Sequence, residues 1–191
     1  MKTVFLWGGV GVAIAAGIFL VLSFASAPGG EEQNLGPDYS RAMPYEGAQH
    51  FPEGTQLNHE SNPPTSGSHW PDPLLDGVYD TEKPEEAIIH SLEHGRVWIS
   101  YRPDIPQEAI DQLTQIASRE VRVILTPRSA NETAIALAAW TRLDTFDLTQ
   151  YRNSEGQLAL SEVEGRVRSF IARYRDKGPE YVPQMTGKRY E

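Results

Sequence analysis

RVWISYRPDIPQEAIDQLTQIASREVRVILTP, residues 96–127, sets the fold class. In an extended chain the side chains alternate, so Val97, Ile99 and Tyr101 share one face of a strand and Trp98 takes the other. Pro103 ends that run, because a proline cannot donate to a ladder. Ile105, Ala109, Ile110, Leu113 and Ile116 then recur at the three- and four-residue spacing of an amphipathic helix. Val121 to Pro127 closes the unit as a short apolar strand.

The flanks extend the pattern. Upstream, Pro84 suits the first turn of a short helix, and Glu82, Glu85 and Glu86 favour its positive end. Ala87, Ile88, Ile89 and Leu92 give that helix an apolar side, and Gly95 is its natural stop. Downstream, Ala134 to Leu143 fits a helix or a strand–turn–strand about equally, and Phe146 to Tyr151 reads as a connection. Ser161 and Glu164 form a capping box for a last helix to about Tyr174, with Val163, Val167, Phe170, Ile171 and Tyr174 inward. The tail from Gly178 is irregular. The expectation is an α/β (α+β) domain, a small sheet with packed helices.

Ahead of the domain, residues 4–24 (VFLWGGVGVAIAAGIFLVLSF) carry no charge. At about 1.5 Å per residue a helix of that length spans a bilayer core of roughly 30 Å. Ala25-Ser26-Ala27 resembles a cleavage site, but the apolar run is longer than a signal peptide needs and Pro28 would follow the cut. Residues 1–27 are therefore read as an uncleaved transmembrane signal anchor. Lys2 before the span and Glu31 and Glu32 after it place the N-terminus inside and the bulk of the chain outside the cytoplasm. Residues 28–54, rich in Gly, Pro and Glu, read as a flexible tether. The extracytoplasmic domain is expected over residues 55–185, with 186–191 as a tail.

There is no cysteine, which excludes disulfides, thiolate metal sites and iron–sulfur clusters. The net charge of −9 argues against a nucleic-acid partner. No glycine-rich phosphate loop or nucleophile elbow is present, so nucleotide binding and serine hydrolysis lack support. No haem is expected. The expected partners are membrane lipid, through the N-terminal helix, and a membrane protein.

All five histidines, His50, His59, His69, His90 and His94, precede residue 95. At about 100° per residue, His90 and His94 share one side of their helix, opposite Ile88 and Leu92, with Glu93 off to the side. Neighbours at i and i+4 can bind one ion together. The preceding loop (Gln56 to Tyr79) is long for a compact domain without a role, and it carries His59 and His69. The candidate metal ligands are His59, His69, His90 and His94, for copper or zinc. Glu60 and Glu93 are candidates to orient the imidazoles, and Met185 to add an axial ligand. His50 falls in the tether and reads as a bystander.

HSLEH, residues 90–94, also fits the H-x-x-E-H of a metallopeptidase class, but Gly95 should end the helix at once and Glu93 lies off the histidine side. Three functions are carried forward: a transition-metal binder, a metal-free interaction or scaffold module of a membrane complex, and a metal-dependent hydrolase.

PPTSGSHW (63–70) and HSLEHGRV (90–97), behind a membrane span, together resemble the bacterial family called domain of unknown function 3105. The resemblance covers roughly residues 55 to 185. It implies a membrane-anchored or exported protein and no established activity. It marks Pro63, Pro64, Thr65, Gly67, His69, His90, Glu93, His94 and Gly95 as motif positions.

Overall fold

The structure, a computed structural model, describes residues 35–190. The expected anchor at 4–24 lies outside them. Among the described residues no helix is long and apolar enough to cross a membrane.

The fold is a mixed α+β domain built on one six-stranded sheet with three helices. The elements are β1 (Arg41–Ala42), β2 (Gly77–Val78), α1 (Glu85–Glu93), β3 (Val97–Tyr101), α2 (Gln107–Arg119), β4 (Val123–Pro127), β5 (Ile135–Ala139), β6 (Arg142–Phe146) and α3 (Leu160–Tyr174). The sheet order is β1-β6-β5-β3-β4-β2. The strand–helix–strand unit over 96–127 forms as expected, with β3 and β4 parallel and Val97 opposite Val123. The segment open to two readings is a strand pair: β5 and β6 are antiparallel and turn back at Trp140-Thr141. Continuous burial across β5 explains the ambiguity, since a strand covered on both faces loses its alternation.

The two faces of β3 divide the core. Val97, Ile99 and Tyr101 pack with Leu113 and Ile116 of α2 and with Val163, Val167 and Phe170 of α3. Trp98, on the opposite face, packs with Ala87, Ile88 and Leu92 of α1 and with Leu74 of the preceding loop. Helix α1 thus has the second face of the sheet, shared with the loops that carry the histidines.

Two expectations are corrected. Residues 35–54, read as tether, pack on the domain where they are described. Arg41 and Ala42 pair with Leu143 and Arg142 of β6, and Arg173 donates to the Gly36 carbonyl at 2.5 Å. Backbone pairing needs no apolar periodicity, so composition concealed it. Ser161 makes no cap: α3 starts at Leu160 with Ala159 in the cap position and no side-chain cap bond.

Candidate metal centre

Helix α1 ends at the site. Pro84 takes its N-cap position, and the helix stops at Glu93 because Gly95 adopts φ +80°, a left-handed conformation that a Cβ disfavours. His94 is therefore the C-cap rather than a continuing helical residue. The loop from Gly67 to Leu75 runs alongside. Leu74 donates its N–H to the Ala87 carbonyl at 3.0 Å, and Ser91 Oγ donates to the Leu74 carbonyl at 2.7 Å.

A third segment closes the site. Residues 47–51 run beside 67–69, joined by Gly67 N–H to Gly47 O at 2.9 Å, His69 N–H to Gln49 O at 2.9 Å and Phe51 N–H to His69 O at 2.8 Å. His50 and His69 face each other as a parallel bridge. This ladder brings His50 from the supposed tether to the α1 histidines.

The result is a triangle of imidazoles. Ring centroids are 4.7 Å apart for His50 and His69, 4.8 Å for His50 and His90, and 4.7 Å for His69 and His90. Glu93 completes the set, and one ligand atom from each of His50, His69, His90 and Glu93 lies within 4.8 Å of the others. His69, His90 and Glu93 are buried, whereas His50 is exposed and opens the site to solvent. Such a group can hold a metal ion.

The tautomers favour ligation. His69 Nδ1 is 2.8 Å from the Gly67 carbonyl and His90 Nδ1 is 2.8 Å from the Trp70 carbonyl. A carbonyl only accepts, so both Nδ1 atoms carry protons and each neutral ring keeps its lone pair on Nε2. Backbone carbonyls that fix a ring this way are typical partners of metal-ligating histidines. His69 Nε2 is buried, lacks a hydrogen-bond partner and lies 3.2 Å from Glu93 Oε2. With Glu93 ionised, two lone pairs face each other across that gap, and a cation relieves the repulsion.

Burial pushes His69 and His90 down to about 4, helped by the neighbouring imidazoles. Burial, with the Glu180 carboxylate, lifts Glu93 to about 7. Burial also lowers His94, against the pull of Glu180. At neutral pH the His69 and His90 rings are uncharged and need lose no proton to bind an ion. Between pH 6.5 and about 4 the unfolded chain binds protons on His69 and His90 that the folded chain does not. Stability therefore falls as pH falls through that window. Glu93 acts oppositely between its ordinary 4.5 and about 7, where the folded carboxyl keeps a proton the unfolded chain has lost. Two imidazoles outweigh one carboxyl. The urea midpoint of the metal-free chain should drop from pH 6.5 to 4, and drop less in a His69→Gln/His90→Gln variant; equal slopes would place the pH dependence elsewhere.

The other expected site residues fall outside this set, although the His94 ring adjoins that of His90, with centroids 4.5 Å apart. His59 Nδ1 is 3.8 Å from Glu46 Oε2, and His59 belongs to neither candidate ligand group among the described residues. Glu60 is exposed and gives its N–H to Glu46 Oε2 at 2.8 Å. Met185 is half-buried in the tail. His94 Nε2 lies 3.3 Å from Glu180 Oε2 and belongs to a second group with Glu93 and Glu180. His90 and His94 thus fall in different groups, unlike the two histidines of a metallopeptidase motif, which share one ion. Nothing in the sequence pattern marks His50 or Glu180 for the site, and Glu93, expected to orient the imidazoles, falls among the candidate ligands themselves.

A family model described as protein of unknown function (DUF3105) matches residues 50–187. The chain belongs to that family. The part that matches the DUF3105 model begins at His50 and takes in His69, His90, Glu93, His94 and Glu180. Comparison with curated proteins and with solved structures returns no match.

Proposed function

We propose that this chain binds one divalent transition-metal ion through His50, His69, His90 and Glu93, with Zn(II) as the natural occupant. The observation that carries the reading is the His69 Nε2 lone pair aimed at Glu93 Oε2 from 3.2 Å in a buried setting. Three nearly equal ring separations favour zinc over Cu(II). A planar set would put one pair of rings opposite each other and clearly farther apart, whereas equal spacing suits a face of a tetrahedron. A donor set of imidazole and carboxylate also disfavours Cu(I), which seeks sulfur.

The exposed His50 leaves one side of the ion within reach of solvent, which suits uptake and release better than permanent burial. We further propose that residues 4–24, an uncharged apolar run long enough to span a bilayer, hold the domain on the outer side of the cytoplasmic membrane. The test of the metal site is metal analysis of the full chain, purified in detergent without a histidine tag, stripped with chelator and titrated with Zn(II) and Cu(II). Tight Zn(II) uptake is expected, and a folded chain that takes up neither ion refutes the reading.

A further inference from the structure

We infer that Glu93 bridges two divalent cations, the second held by Glu93, His94 and Glu180. This rests on the first site proposed above. The ligand atoms of Glu93, His94 and Glu180 also lie within 4.8 Å of one another, so the two groups share a single carboxylate. The His90 and His94 rings are neighbours, with centroids 4.5 Å apart, which sets the groups side by side. A carboxylate has two oxygens and can serve one ion with each; paired ions in two-metal sites sit about 3.5–4 Å apart. His94 Nδ1 is buried without a hydrogen-bond partner, while His94 Nε2 faces Glu180 at 3.3 Å.

The tail that supplies Glu180 is fastened to the end of α1, so the group is built rather than fortuitous. Glu180 N–H donates to the Glu93 carbonyl at 3.1 Å, and Asp176 N–H donates to the Gly95 carbonyl at 2.8 Å. Arg96 Nη1 donates to the carbonyls of His94 at 2.8 Å and Val182 at 2.6 Å, tying the cap to the tail. At Gly178 a Cβ would overlap the Glu93 carbonyl, so only glycine lets the tail come this close. The Glu93 and Glu180 carboxylates repel each other in this arrangement, and a cation between them and His94 offsets that. The Glu180 side chain is 63% exposed, leaving room for water on the second ion. One imidazole with two carboxylates is a harder donor set than the first, suited to Zn(II), Co(II) or Mn(II).

The test titrates the metal-free full chain with Co(II), followed by calorimetry and electron paramagnetic resonance. Wild type should take two equivalents, the second weaker, and the second should quench the signal of the first through the shared carboxylate. Glu180→Gln and His94→Gln should each weaken the second equivalent about tenfold or more and leave the first within about twofold. A wild type that stops at one equivalent overturns the second site alone. Two equivalents unchanged in both variants, or two uncoupled ions, overturn the assignment as well. No binding at all overturns the first site and this one together.

Discussion

Replacing Glu93 by glutamine should make the metal-free chain more stable while the chain loses its grip on metal. The two effects have opposite signs because the carboxylate is placed for an ion rather than for the fold. Glu93 is buried, and its Oε2 faces a His69 Nε2 that already bears a lone pair, since the His69 proton sits on Nδ1 against the Gly67 carbonyl. A glutamine amide can donate N–H to that nitrogen. It satisfies a buried acceptor, worth about 1–2 kcal/mol, and removes a buried charge as well. The gain should be read at pH 8, above the value of about 7 to which burial lifts Glu93. Below that, the protonated carboxyl donates to His69 as the amide would, and the difference should fade. Zinc affinity, measured by competition with a chromophoric chelator, should fall about a hundredfold or more, since losing a ligand outweighs losing a group that merely orients one. A variant destabilised at pH 8 would make Glu93 a structural partner of His69 and defeat the ligand assignment. Natural chains tolerate such local cost where activity requires it.

The sequence made the scaffold legible and the site only half so. Residues 96–127 announced strand, helix and strand because an alternating run, a three- and four-residue spacing and a short apolar run follow one another, and the structure keeps all three. The histidines on α1 were legible for the same reason, as a wheel separates His90 from Ile88 and Leu92. What periodicity cannot show is backbone pairing between irregular segments. His50 reaches the site because residues 47–51 hydrogen-bond to 67–69, and that contact depends on main-chain groups common to every residue. His59, nearer in sequence to the loop motif, turns instead toward Glu46. Glu180 is placed by the close approach of Gly178 to the end of α1, and a glycine in an irregular tail gives no sign of what it approaches. The wheel misjudged Glu93 for a related reason. It asks which side a residue takes on its own helix, whereas the ligand to which Glu93 turns, His69, arrives from the loop and lies beside the helix end.

His69→Ala should cost zinc binding about a hundredfold or more, and the comparison with His59→Ala makes the result specific. Both residues sit on the same proline-rich loop, both side chains are buried, at 0% and 7% exposure, and both leave a ring nitrogen without a partner. Composition and sequence distance do not separate them. Geometry does: the His69 ring is 4.7 Å from those of His50 and His90, and its Nε2 faces Glu93, whereas His59 Nδ1 lies 3.8 Å from Glu46 and His59 joins neither ligand group among the described residues. A truncated His59 should therefore leave zinc affinity within about twofold even if it lowers stability through the lost packing. Truncating the exposed His50, which has little packing to lose, should weaken zinc about tenfold with the urea midpoint nearly unchanged. That third variant separates metal loss from unfolding. Equal losses in the His59 and His69 variants, with His50→Ala silent, would mean that zinc follows the integrity of the loop and that the imidazole triangle is not its binding site.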